Sequence, residues 1–163
     1  MKLYSGPLSL FTAKVRVALD EKQLAVQRID VGWSLANRYE PHHPDVVALN
    51  PRQQVPVLVD GDVVVYDSTQ ILEYLEDAYP QLPLRPADVA GRAYLCGDYS
   101  YADIATFIFV QAAAGLGSAP ADAQVALRMW LDRMRERPAV RREVDAMNAF
   151  VASLLAPKVA AAR

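Results

Sequence analysis

The residues best placed to do chemistry are Val55-Pro56 and Asp67-Ser68, on either side of a short β-rich stretch. Proline has no amide hydrogen and fits poorly inside a ladder, so Pro56, at the head of Val57-Leu58-Val59, leaves the N–H and C=O of Val55 free for a partner outside the sheet. Asp67 or Ser68 caps the helix that follows, at a positive helix end where an anionic group is readily held. A strand-like edge beside an anion site suits a small extended peptide that carries a carboxylate.

The elements that must position these groups follow from local pattern. Asp60-Gly61 lies between two β-rich runs, Val57-Leu58-Val59 and Val63-Val64-Val65-Tyr66, and predicts a hairpin. Gln70 stands three residues after Asp67, as in a capping box, and Ile71, Leu72, Leu75, Ala78 and Tyr79 recur at helical spacing. Tyr79-Pro80 ends that helix, because the residue before proline avoids helical backbone angles. Upstream, Lys2-Leu3-Tyr4 predicts a first strand and Gly6-Pro7 a turn. A helix over about 12–22 carries Val15, Ala18 and Leu19 on one face, and a second strand covers 26–31. Strand, helix and strand form a right-handed parallel unit. Residues 32–49 read as irregular, with a short helix near 45–49. The order βαβ then ββα is the plan of a thioredoxin-like α/β domain.

A chain of 163 residues makes one ordinary domain or two small ones, and 53% hydrophobic content is ample for a core. A net charge of −2 argues against nucleic acid as a partner. Cys96, the single cysteine, excludes an internal disulfide framework and fits a reducing compartment. Met1 to Pro7 lacks the apolar core of a signal peptide, and the most apolar tract, 104–116, is too short to span a bilayer. The expectation is a cytoplasmic protein away from membranes. His42, His43 and Asp45 do not fix a coordination geometry, so no metal is expected.

The string Asn50-Pro51-x-x-Gln54-Val55-Pro56-Val57-Leu58, followed by Asp67-Ser68 and a helix, resembles the glutathione-binding half of glutathione S-transferases. The resemblance implies a cis Val55-Pro56 bond and pairing of the Val55 backbone with the cysteinyl part of glutathione. It implies that Asp67 and Ser68 hold the γ-glutamyl carboxylate and amine, and that Gln54, matching the Gln or Lys just before Val-Pro, also holds glutathione. Ser9 stands six residues before Val15, the spacing seen in serine-type members, with Lys14-Val15 as the basic-Val pair. On that likeness Ser9 is the catalytic hydroxyl, donating to the thiol of glutathione and favouring its thiolate; capping the helix is its other reading, and Tyr4 and Ser5 are rival hydroxyls. There is no Cys-x-x-Cys in this loop for disulfide exchange. The family places basic groups for the glycine carboxylate near His42 and His43; His42, eight residues before Asn50, matches a lysine of some members, and two hydrated loop histidines is the other reading. Gln53 replaces the glycine of the common Asn-Pro-x-Gly pattern.

Pro80 to Pro86 predicts a linker. Beyond it, Leu95-Cys96-Gly97-Asp98-Tyr99-Ser100-Tyr101-Ala102-Asp103 resembles the capping motif of the family's central C-terminal helix, here over about 102–114. Ser100 and Asp103 are then folding residues, and Cys96 is packing. Further helices are expected over about 121–135 and, with Pro138 at its start, 139–155; the intervening arginines, Arg137 among them, read as a solvated face. Only residues 87–94 stand where the family carries two long helices, a shortfall of about fifty residues judged against usual domain sizes. The chain therefore reads as a thioredoxin-like domain over 1–80 and a shortened all-α domain over 87–163. The resemblance implies conjugation of glutathione to a small hydrophobic electrophile. A non-catalytic module that binds glutathione or a protein is the alternative. The helix at 102–114 is apolar on nearly every side, and with two covering helices missing it predicts a homodimer.

Overall fold

The computed structural model describes residues 1–40, 42–84, 94–95, 97–122 and 124–156. Its elements run β1 (Lys2–Ser5), α1 (Leu10–Glu21), β2 (Gln27–Asp30), α2 (Pro44–Leu49), β3 (Val57–Asp60), β4 (Val63–Tyr66), α3 (Ser68–Ala78), α4 (Tyr101–Gly115), α5 (Val125–Glu136) and α6 (Pro138–Leu155). The sheet has four strands in the order β2-β1-β3-β4. β1 runs parallel to β2 and antiparallel to β3, and β3 pairs antiparallel with β4 across the Asp60-Gly61 turn, where Gly61 holds a φ of +58°. This is a thioredoxin-like α/β unit followed by helices, as the sequence predicts.

The helix starts are where the differences lie. α1 begins two residues earlier than its apolar pattern, because Ser9 caps it and accepts from the Thr12 N–H at 3.2 Å. Its buried run extends from Thr12 through Leu19, too wide for one face. One side of α1 meets the sheet and α3, the other meets α4 and α6. A single core therefore passes from Leu3, Leu58 and Ile71 through α1 to Ile104, Phe107, Trp130, Met134 and Val140. A second cluster, Tyr4, Val31, Val46 and Val57, lies beneath α2. α5 starts later than expected, after a loop in which Gly117 takes a φ of +92° and Ala121 N–H bonds the Gln124 side chain at 2.9 Å.

Polar side chains bind the two halves. Arg16 of α1 makes a two-pronged contact to Glu143 of α6, its Nε donating at 2.8 Å, and both are buried. Arg137 donates to both carboxylate oxygens of Glu21, at 2.8 and 2.7 Å, and its guanidinium lies 3.4 Å from the Tyr99 ring centroid. Arg137 is thus a clamp between α1 and the start of α6, not part of the solvated face. Buried Asp103 accepts from the N–H groups of Ser100 (3.1 Å) and Leu95 (2.9 Å) and from Trp130 Nε1 (2.9 Å), the folding role expected of it. Of the stretch expected to be a linker, residues 80–84 are described, with Leu84 buried and its N–H bonded to Glu76 at 2.9 Å, while 85 and 86 lie outside the described residues. Cys96 also lies outside the described residues. No helix among those described is long and apolar enough to cross a membrane.

Candidate functional site

Two adjoining cavities form over the N-terminal ends of α1 and α3. The larger, about 620 Å³, is lined by Ser9, Phe11, His42, His43, Gln53, Gln54 and Val55 among others. The smaller, about 100 Å³, is bounded by Asn50, Arg52, Pro56, Asp67 and Ser68, and shares Phe11, Gln54 and Val55 with the first. Every site residue predicted from sequence lines one or both. The Val55-Pro56 peptide bond is cis.

Each residue is held by local chemistry. Ser9 Oγ accepts the Thr12 N–H, so its own proton remains available to donate. Asp67 caps α3, its carboxylate accepting the Thr69 N–H at 2.9 Å, with Arg52 3.7 Å away. It does so at a φ of +73°, left-handed backbone that aspartate tolerates better than most residues. Ser68, at the first turn, is buried. Asn50 fixes the loop between α2 and β3: its amide donates to the Gln54 carbonyl at 2.8 Å and its oxygen accepts from the Arg52 N–H at 2.9 Å. Gln53 takes a φ of +55°, which explains why glycine suits this position.

The rival hydroxyls point elsewhere. Tyr4 donates to Asp45 at 2.8 Å, a bond that together with burial raises its pKa, and it lines neither cavity. Ser5 accepts from Arg16 at 2.7 Å. The two histidines also part company. His43 caps α2, its Nδ1 accepting the Asp45 N–H at 3.2 Å, whereas His42 has Nδ1 3.4 Å from Glu40 Oε1.

Three participants, Phe11, Arg38 and Tyr39, escaped the sequence reading, and a fourth, Lys14, was singled out there only as the basic residue before Val15. Phe11 stands between the two cavities and meets Phe109 of α4 edge-on, ring centroids 5.7 Å apart. Lys14 is buried, its ammonium 5.8 Å from the Phe11 centroid; burial lowers its pKa, and the charge of Asp67 partly restores it. Arg38 and Tyr39 wall the larger cavity from a third, about 780 Å³, which reaches α4 and α6. The Tyr39 hydroxyl is buried near the Leu8 backbone, makes no hydrogen bond of ordinary geometry among the described residues, and lies 2.6 Å from where a Cβ on Gly6 would stand. Only the backbone of glycine leaves room for it. The Gly6 turn was legible in sequence; its partner, in an irregular loop, was not. Among the described residues no cluster of histidine, cysteine and carboxylate is arranged to hold a metal ion.

Residues 3–83 match the sequence profile of the glutathione S-transferase N-terminal domain. The chain belongs to the glutathione S-transferase family. Among similar proteins, glutathione S-transferase 1 of Dianthus caryophyllus is 40% identical over 108 residues, 65% of this chain and 45% of that protein. A stringent starvation protein A homolog of Coxiella burnetii is 38% identical over 95 residues, 57% of this chain and 42% of that protein. The matched stretch thus spans less than half the length of these relatives. A glutathione S-transferase from the Antarctic clam Laternula elliptica superposes with a TM-score of 0.77 at 22% identity, over 87% of this chain and 90% of the other, a likeness of fold alone.

Proposed function

We propose that this chain binds glutathione across the two adjoining cavities and transfers its thiolate to a small electrophile. The observation that carries the reading is the convergence of three separate segments on one cleft: a helix-capping hydroxyl at Ser9, a backbone edge at Val55 that joins no strand ladder among the described residues, and a helix N-terminus with a carboxylate at Asp67. The extended tripeptide would lie along Val55 with its γ-glutamyl end at Asp67 and Ser68, its amine facing the Asp67 carboxylate and its carboxylate the start of α3. His42 and Gln54 flank the glycyl end and the middle of the peptide.

The chemistry is elementary. A free thiol titrates near ~8.5, and only its thiolate attacks efficiently. A hydroxyl donating to sulfur, at the positive end of α1, stabilises the charged form and lowers that value. The sulfur then forms a bond to an electrophilic carbon, and a leaving group departs or a double bond accepts the electron pair. A reducing cytoplasm, consistent with the single cysteine, keeps the thiol available.

The experiment is Ser9→Ala. Ultraviolet titration of bound glutathione should show the thiol pKa rising toward its free value, with conjugation of a generic aryl halide slowed at neutral pH and glutathione affinity little changed. An unchanged thiol pKa would remove Ser9 from catalysis. A second reading, a glutathione-binding module without turnover, is favoured by the short span between α3, ending at Ala78, and α4, starting at Tyr101. Wild-type protein that binds glutathione yet fails with every aryl halide and activated alkene would decide for it.

A further inference from the structure

The cavity of about 780 Å³ between the β2–α2 loop and helices α4 and α6 has an apolar body that includes Trp33, Ile108 and Val151. Arg38 is the one charged side chain among the described residues that line it. Arginine offers five N–H donors in a fork that matches a carboxylate, and its charge is permanent. Arginines elsewhere face carboxylates, as Arg16 does Glu143 and Arg137 does Glu21, whereas the Arg38 guanidinium has no such partner among the described residues. Two amides accompany it, Gln111 and Asn148. The Gln111 oxygen accepts from Arg135 at 2.9 Å, so the group it can offer a ligand is its NH2.

Arg38 is also held in place. Ser34 and Arg38 exchange backbone hydrogen bonds of 2.9 and 2.8 Å, and the Asn37 N–H bonds Ser34 Oγ at 3.1 Å. The closed loop sets Arg38 at a φ of +57°, an uncommon conformation for a residue other than glycine. Its backbone is therefore ordered before any ligand arrives, which lowers the entropy lost on binding.

We infer that the second substrate of this site is an electrophile bearing a carboxylate on an apolar body, with Arg38 as the specificity-determining residue. The inference rests on the glutathione reading for the word electrophile, but not for the ligand class. The apolar walls take the body of the molecule, and Arg38, standing at the boundary with the cavity of Ser9, takes its acid group. The reacting carbon is thereby kept near that boundary, where the thiolate would stand. A neutral electrophile of the same shape gains the apolar contacts but not the charged one.

The test is direct binding of 4-nitrobenzoate and 4-nitrobenzamide, followed by quenching of tryptophan fluorescence, to which Trp33 in the cavity wall contributes. The wild-type chain should prefer the acid, and Arg38→Gln should weaken the acid roughly tenfold, the lower end for a charge-assisted contact, while leaving the amide unchanged. Arg38→Lys should recover part of the loss. Arg38 is exposed, so these variants fold. Calorimetry with glutathione runs beside them. An acid affinity indifferent to the substitution, an equal loss for acid and amide, or a loss of glutathione affinity in Arg38→Gln would overturn the inference, the last by giving Arg38 to the peptide's own carboxylate. A wild-type chain that fails to bind glutathione at all strikes the proposed function instead, and the acid–amide comparison still reads out the cavity.

Discussion

Asp67 has two jobs that single substitutions can separate. It caps α3 at a left-handed φ, and it is the proposed counter-charge for the amine of glutathione. Asparagine caps as well as aspartate and tolerates the same backbone, but carries no charge. Asp67→Asn should therefore keep the melting temperature while weakening glutathione by about 1.5–3 kcal/mol, the value of a charge-assisted contact, as measured by calorimetry. Equal affinity would take Asp67 out of the site. Gln53 gives the converse case. Its left-handed backbone costs about 1–2 kcal/mol in a residue with a Cβ, against roughly 0.5–1 kcal/mol of extra chain entropy for glycine. Gln53→Gly should raise stability by up to about 1 kcal/mol in urea unfolding. Residues such as Val55, Pro56 and Asp67 were legible because their effect is on the backbone, which sequence encodes locally. The sequence singled out His42 by its distance from Asn50 but not the capping role of His43, since only the fold decides which of two neighbours caps a helix. Arg38 and Tyr39 left no trace at all, because their loop is shaped by tertiary contact rather than by a repeating pattern.

The elements were read well where one face is apolar and poorly where two are. The spacing in α1 revealed Val15, Ala18 and Leu19 but not that Lys14 and Arg16 are buried beside them. No amphipathic pattern betrays a helix sandwiched between a sheet and a second layer. Arg16 is tolerable there because Glu143 receives it, with Ser5 and the Gly6 carbonyl taking another N–H at 2.7 and 3.1 Å. Removing one partner of a buried pair strands the other, so Glu143→Ala should cost about 3–5 kcal/mol in denaturant unfolding. A cost under 1 kcal/mol would mean that solvent reaches Arg16. The β3–α3 pairing carries a pH signature. Asp60 accepts from the hydroxyls of Tyr79 and Tyr74, bonds that lower its pKa and raise theirs, Tyr79 to about 12. Below pH 10 the unfolded and folded tyrosines are both protonated, so this contribution is complete; it is lost as pH rises through about 12. The Asp60 share is present above its ordinary value of 3.8 and is lost as pH falls through the lowered folded value. Tyr79→Phe should flatten the alkaline limb of the stability curve, and an unaltered limb would show that Asp60 does not hold that hydroxyl in solution.

At the scale of the molecule, the homodimer foreseen from α4 stands as a proposal on narrower ground. Ile104, Phe107 and Ile108 are buried within the chain, with α1 supplying cover that the sequence reading did not anticipate. What remains outside is Phe109, 42% exposed, with Phe11 at 54% beside it and Leu116 at 88%. Light scattering in dilute solution should find a dimer that Phe109→Ser weakens; a monomer would show that the cover from α1 suffices. The continuous core has a consequence for how the chain is made. Synthesis delivers the sheet, α1 and α3 first, while the partners of the far side of α1, in α4 and α6, emerge later, α6 only from Pro138 onward. Until then the nascent α/β half carries an uncovered apolar flank and a charged Arg16 without its carboxylate, a transient ligand for chaperones that the finished protein no longer displays.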